Sequence, residues 1–128
     1  MILETIEYYL RANGILGTIY KGFLPPTPDT AIVLTPTAAG APDAKHNYNQ
    51  IGLQVRTRSA TYPTAEALCY AVYNTLQSAG NRTISGVYVV DVQAQQDPYS
   101  LGRDENDRHH FVQNFVIDYY RDIGNRRD

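Results

Sequence analysis

Residues 50–79 constrain the fold more than any other part of the chain. Residues 50–59 alternate between apolar side chains and small, polar or basic ones, which predicts a strand with one apolar face and one polar, basic face. A helix is predicted over 64–79, with Thr61 or Tyr62 as its cap, Pro63 in its first turn and Gly80 closing it. Such a helix is about 24 Å long and an eight-residue strand about 26 Å. The helix can therefore cover the strand, so the segment predicts a helix layer packed on a sheet layer.

The other periodic segments complete the order α-β-β-β-α-β-β. A first helix is predicted from the stripe Leu3, Ile6, Tyr9 and Leu10, with its stop at residues 13–14. Further strands are predicted over the following segments: 17–23, 30–35, 87–95 and 109–120. Successive strands joined by loops favour antiparallel pairing, and helix 64–79 can cross to a parallel or non-adjacent strand. We expect one domain over 1–128, an α+β fold with a mostly antiparallel or mixed sheet of four to five strands and two helices packed against it.

The remaining segments are less regular. Residues 37–49 show no periodicity and predict a long loop, functional or mobile, and the charged residues 121–128 predict a loose tail. A polar turn is predicted over 102–108. Strict alternation in the strand 87–95 would place on one face the side chains of Tyr88, Val90, Val92 and Ala94.

Composition excludes several classes of protein. The 128 residues carry a formal net charge of −2, without the basic excess of a general nucleic-acid binder. The single cysteine, Cys69, excludes an internal disulfide and a multi-cysteine zinc site, and its place beside the helix stripe predicts a buried small hydrophobe. No segment approaches the ~20 apolar residues of a membrane span, and the N-terminus lacks a cleavable signal pattern, so we expect no membrane and a cytosolic origin.

Nothing in the residue pattern supports an enzyme or a cofactor. No nucleophile motif accompanies His46, and His109 and His110 should point to opposite faces of a strand, which disfavours a shared metal ion. Asp104 and Asn106 have the spacing of calcium ligands, but Arg108 stands at the next ligand position, so a solvated turn with local salt bridges is favoured. Two other interpretations stay open: a small hydrolase or ligand-binding domain using His46 or His109, and an adaptor that dimerises through an edge strand.

Some side chains indicate association between subunits. Arg56 and Arg58 share a strand face beside Gln54, which is typical of a solvated face or of a subunit contact. There are 11 tyrosines in the chain, more than a core of this size can hold, so some must be exposed.

Three strings, in their order and spacing, resemble a known family. They are residues 28–34, residues 54–58 leading to Tyr62 and the helix up to Leu76, and residues 98–108 followed by Phe111, Asn114 and Phe115. From about Leu3 to Tyr120 the chain is similar to the small minor capsid proteins that act as tail terminators, or head–tail joining proteins, in long-tailed phages. One departure is residues 38–40, Ala-Ala-Gly, where the family pattern has a glycine pair.

The resemblance implies a structural virion protein without catalysis or cofactor. Such proteins form a homo-oligomeric ring, usually of six subunits, that caps the tail tube, ends its polymerisation and joins it to the head or neck, while double-stranded DNA passes through the lumen without specific binding. The resemblance also implies that the protein is located in the tail or neck of the virion, and in the host cytoplasm before assembly. The alternative within the same biology is a head-completion, or stopper, protein at the portal side.

A ring uses contacts between different patches of one subunit. We therefore expect that Arg56 and Arg58 meet acidic groups of the neighbouring subunit or the tube, in the turn that holds Asp104, Glu105, Asp107 and Arg108. The 37–49 loop is expected to become ordered on the tube or against a neighbour.

Overall fold

The structure of the protein is a computed structural model that describes residues 2–37 and 48–120. Within these ranges the chain forms two helices and seven strands. In chain order they are α1 (Ile2–Ala12), β1 (Thr18–Lys21), β2 (Ala31–Thr37), β3 (Tyr48–Ser59), α2 (Tyr62–Gln77), β4 (Arg82–Ile84), β5 (Val87–Ala94), β6 (Tyr99–Arg103) and β7 (His109–Tyr120). His46 and the other residues of 38–47, together with the predicted tail over 121–128, lie outside the described residues. The predicted loop over 37–49 is too long at both ends, because Thr37 belongs to β2 and Tyr48 and Asn49 belong to β3.

The strands form one mixed sheet in the order β1-β2-β3-β7-β5-β4, with β6 also paired to β7. β7 is the centre of this sheet. Its whole length pairs with β3, from Tyr48 opposite Tyr120 to Ser59 opposite His109. On its other side β7 pairs with β5 through its C-terminal half and with β6 through its N-terminal half. α2 therefore leads from β3 to the edge strand β4, and β4 leads to β5. Neither strand is a neighbour of β3, so the predicted crossover to a non-adjacent strand is confirmed.

The α+β class is confirmed, but the predicted four to five strands are too few, because β4 and β6 were missed. β4 has three residues and β6 has five, and a register shift in β6 between Ser100 and Gly102 breaks its alternation. The two-residue turn between β4 and β5 did leave a signal. Ser85 and Gly86 have φ values of 48° and 81°, as a tight hairpin turn requires, and a Ser-Gly pair before an apolar run indicates such a turn.

The antiparallel expectation fails at one strand pair. β1 runs parallel to β2, with Thr18 opposite Ala31 and Lys21 opposite Leu34. Parallel neighbours need a connection that returns the chain to its starting end. Residues 22–30, with Pro25, Pro26 and Pro28, make that return without any helix, so no helical pattern announced a crossover.

Both helices pack on the same face of the sheet, here called the inner face. Ile6 and Leu10 of α1 join Val72 and Leu76 of α2 in one buried cluster with the apolar side chains of the strands. The alternate residues of β7 that begin at Phe111 are all buried: Phe111, Gln113, Phe115, Ile117 and Tyr119. A smaller cluster of Ala65, Cys69 and Phe111 lies towards the start of α2. The predicted stripes thus do form the core, with Leu3 and Leu68 only partly buried at its margin.

A β-bulge changes the predicted faces of β5. Val89 pairs with Tyr119 and Asp91 with Asp118, so Val90 is the extra residue. Alternation is reset there, and both Val89 and Val92 are buried in the core. The prediction that Val89 and Val92 face opposite ways is therefore wrong.

The helix ends follow mostly local rules. Gly14 has a φ of 84° and follows the last turn of α1, as predicted. Thr61, one of the two predicted caps, caps α2: its Oγ1 accepts a hydrogen bond from the Thr64 N–H at 3.4 Å. Gly80 does not close α2, which ends at Gln77. A Cβ at Gly80 would lie 3.3 Å from the Val90 carbonyl oxygen, so this glycine allows the chain to pass close to the bulge.

Candidate functional site

The surface of interest is the sheet face away from the helices, here called the outer face, at the N-terminal end of β7. Since Val55 and Thr57 are buried towards α2, alternation places Gln54, Arg56 and Arg58 of β3 on the outer face. Their register partners on β7 are Asn114, Val112 and His110.

Arg58 does not lie on a solvated face. Its side chain is only 2% exposed. Its Nε donates a hydrogen bond to the Asp29 carbonyl oxygen at 3.1 Å, and its Nη2 donates to the carbonyl oxygen of Pro28. Burial, followed by the neighbouring positive charge of Arg108, lowers the pKa of Arg58. The residue therefore ties the segment 22–30 to the edge of the outer face, and its donors are engaged within the subunit.

Arg108 has a similar position. It is 7% exposed, and its Nη1 donates to the Pro26 carbonyl oxygen. Its Nε lies 3.1 Å from Asp104 Oδ2, and its Nη1 lies 3.6 Å from Asp29 Oδ1. Arg58 of β3, Arg108 just before β7 and two aspartates from separate loops thus hold the proline-rich segment and the turn before β7 together. We call these four residues the arginine cluster: Asp29, Arg58, Asp104 and Arg108.

Asp104 organises the turn before β7. Its Oδ1 accepts hydrogen bonds from the backbone N–H groups of Asn106, at 2.9 Å, and Arg108, at 3.0 Å. Its Oδ2 accepts from Arg108 and lies 2.9 Å from His110 Nε2. The hydrogen bond to His110, and next the backbone N–H of Arg108, hold the pKa of Asp104 well below its usual range. Both oxygens are occupied by donors, which is the salt-bridged turn that the sequence favoured over a calcium loop.

Two other acidic residues of this turn differ from each other. Asp107 pairs with Arg103 at 2.8 Å on the open surface. Glu105 is exposed and has neither a hydrogen bond nor an ion pair within residues 2–37 and 48–120. Glu105 is therefore the carboxylate that this turn leaves available.

Arg56 is the basic counterpart of Glu105. It lies on the outer face between Val33 and Val112, which are 6% and 1% exposed. Its Nε is buried and has no hydrogen-bond partner among the described residues. An arginine donor removed from water without an acceptor is costly, so an acceptor from outside the subunit would be favourable here.

Among the described residues, His109, His110 and Cys69 each contact neighbours that belong to the fold. His109 packs its ring against Tyr62, with centroids 5.7 Å apart, while His110 contacts Asp104. Cys69 is fully buried in the cluster with Ala65 and Phe111, which confirms the prediction of a buried small hydrophobe. Burial raises the pKa of its thiol to about 11. Across the described ranges, no three histidine, cysteine or acidic side chains are grouped as metal ligands. The helices in these ranges are also too short or too polar to cross a membrane.

An open apolar groove of about 540 Å³ lies between the α1–β1 connection and the first half of α2. It is lined by Ile15, Leu16, Pro63, Leu68 and small neighbours, with no ionisable side chain among them. Leu16, at its rim, is 82% exposed. Tyr8, Tyr62, Tyr70 and Tyr99 are also exposed, as the tyrosine count predicted, and they are distributed over α1, α2 and β6.

In the described part of the chain, Arg58, Asp104 and Arg108 hold loops in place, and the exposed large apolar side chains are distributed over several elements. Exposed apolar side chains of this kind are typical of a protein that associates with other subunits. The chain belongs to the bacteriophage tail terminator family: the model described as "Bacteriophage tail terminator protein" matches residues 9–121. It is therefore a structural protein of the phage tail or neck, and the resemblance noted from the sequence is confirmed.

A solved structure shows the same fold. A chain from the structure entitled "Virion of native gene transfer agent (GTA) particle" superposes with a TM-score of 0.69 at 19% identity, and the match covers 89% of this chain and 90% of that one. No curated protein sequence matches this chain significantly.

Proposed function

We propose that this protein assembles into a closed ring, usually of six subunits, on the end of the phage tail tube. There it stops polymerisation of the tube and provides the surface to which the head or neck attaches. The observation that carries this proposal is the tail terminator family match over residues 9–121. The ring is a virion component that forms from subunits made in the host cytoplasm, acts without catalysis or cofactor, and lets double-stranded DNA pass.

The shape of the subunit is suited to a ring. A ring needs two different patches on each subunit, since each copy contacts its neighbours through unlike surfaces. The described part of the chain offers such unlike surfaces on separate elements. One is the apolar groove beside α2, and others are the outer face around Arg56 and the open edge of β6, where Tyr99 and Leu101 are exposed.

The proposal is tested with purified protein and tail tubes. Light scattering over a range of concentrations gives the solution mass, and negative-stain images of the same fractions show whether closed rings form. Tubes capped with the protein are then supplied with fresh tube subunits, and their length distribution is compared with that of uncapped tubes. We expect capped tubes to stop growing. Growth equal to that of uncapped tubes would overturn the proposal, and binding to filled heads but not to tubes would assign the protein to the portal side as a head-completion protein.

A further inference from the structure

We propose that Arg56 of one subunit and Glu105 of the next form the ion pair that joins neighbouring subunits. This inference rests on the ring proposed above and names the side chains that close it. The partner is a second copy of this chain, and the argument is charge complementarity between two residues that the isolated subunit leaves unpaired.

The guanidinium of Arg56 lacks a hydrogen-bond acceptor among the described residues. Its Nε is buried without a hydrogen-bond partner among the described residues, while the neighbouring Arg58 has two carbonyl acceptors inside the subunit. Arginine binds carboxylates through two parallel N–H donors. The buried Nε is shielded from a second subunit, so a carboxylate brought to the outer face would bind the Nη groups, which have no partner among the described residues. It would stabilise a guanidinium charge that the fold has partly removed from water.

Glu105 is the acid best placed to serve this role. Asp104 has four hydrogen-bonding contacts within its own subunit, and Asp107 is paired with Arg103. Glu105 projects from a turn that Asp104 and Arg108 hold rigid, so its carboxylate is presented on a fixed support. A rigid support lowers the entropy cost of association.

The arrangement produces unlike contacts, as a ring requires. Arg56 lies in the middle of β3 and Glu105 in the turn before β7, so the two residues belong to different patches of the subunit. In an open chain of subunits joined from 56 to 105, one Arg56 stays unused at one end and one Glu105 at the other until the ring closes. Of the six residues predicted from the sequence for this interface, these are the two whose charged groups have no partner within the described subunit: Arg58, Asp104, Asp107 and Arg108 all have one.

Cross-linking tests the contact directly. Arg56→Cys and Glu105→Cys are made singly and together, and rings of each are treated with a short bis-maleimide, because a long ion pair holds the backbones too far apart for a disulfide. Native Cys69 is fully buried and gives no background. We expect a covalent dimer when the two single variants are mixed, no product from either alone, and a ladder up to the full ring from the double variant.

The control pairs Arg11→Cys with Glu105→Cys. Arg11 is an exposed residue of α1 whose contact, with Glu7, is local, and no cross-link to residue 105 is expected. Equal yields from the control mixture and the test mixture would overturn the inference. So would a product from Arg56→Cys alone, since that would mean like-to-like contact of this patch.

Charge reversal gives an independent measurement. We expect Arg56→Glu or Glu105→Arg to raise the concentration for half-assembly at least tenfold, and the double reversal to restore it. Normal assembly of Arg56→Glu alongside wild-type tube capping would overturn the contact while leaving the proposed function intact. Wild-type protein that neither forms rings nor caps tubes would overturn the function and the contact together.

Discussion

At the scale of single residues, Asp104 decides the structure of the turn before β7. The spacing of Asp104 and Asn106 suits a cation loop as well as a salt-bridged turn, and the sequence favours the turn only through Arg108. In the structure two backbone N–H groups, a guanidinium and an imidazole approach the carboxylate. These donors fill its acceptor positions, so a cation would have to displace them.

The Asp104 carboxylate also makes the free energy of unfolding depend on pH. Because its pKa is lowered from the ordinary value of 3.8, folding favours the charged carboxylate, so its contribution to stability is complete above that value and is lost as the pH falls below it. We expect Asp104→Asn to be less stable at pH 7 and to lose less stability than the wild type between about pH 5 and pH 2. Urea unfolding at a series of pH values measures both quantities.

The matched control is Asp107→Asn in the same turn, because Asp107 is exposed and pairs only with Arg103. It should behave almost as the wild type. Part of the acid dependence will persist in Asp104→Asn, since the hydrogen bond from Lys21 also lowers the pKa of Glu7. An unchanged acid slope in Asp104→Asn would show that this carboxylate does not stabilise the turn.

At the scale of elements, two arginines on the same face of β3 have different roles, one within the subunit and one in the proposed contact between subunits. Arg58 holds segment 22–30 through backbone carbonyls, whereas Arg56 makes no such contact within the described subunit. We expect Arg58→Ala to lower the free energy of unfolding by about 2 kcal/mol, because buried acceptors lose a charged donor. Arg56→Ala should not lower it, because this change removes a buried donor that has no acceptor among the described residues.

Urea titrations followed by circular dichroism compare the two variants, and limited proteolysis reports on segment 22–30. Faster cleavage in this segment is expected for Arg58→Ala alone. Equal stability losses in the two variants would contradict the division of roles. The same reasoning means that failed assembly of an Arg58→Glu variant would report on folding as well as on an interface.

The elements predicted correctly are those whose cause is local. The stripes of α1 and α2, the cap at Thr61 and the alternation of β3 and β7 are all visible in short windows of sequence. The parallel pairing of β1, the bulge at Val90 and the burial of Arg58 depend on segments distant in the chain. Nothing near Arg58 shows that the carbonyls of Pro28 and Asp29 will reach it, so sequence reasoning assigned it to a surface.

At the scale of the whole molecule, the balance of charge bears on how the ring would treat DNA. The formal net charge is −2. In the described ranges, Arg11 and Lys21 both pair with Glu7, and Arg103 and Arg108 pair with aspartates. Non-specific DNA affinity comes from cations that replace the counterions of the phosphates, and four of the seven lysines and arginines in the described ranges are already paired with carboxylates. A lumen through which DNA must slide benefits from this weak attraction.

We therefore expect no retention of linear double-stranded DNA by micromolar protein at about 150 mM salt, where non-specific binders typically have dissociation constants of 10⁻⁴ to 10⁻⁶ M. Mobility-shift titrations on the subunit and on assembled rings measure this, with low-salt samples as the control in which weak binding becomes visible. A salt-dependent shift from rings but not from subunits would mean that assembly gathers the remaining basic groups into the lumen. The ring would then bind DNA, and the expectation that DNA passes through the lumen with little attraction would be wrong.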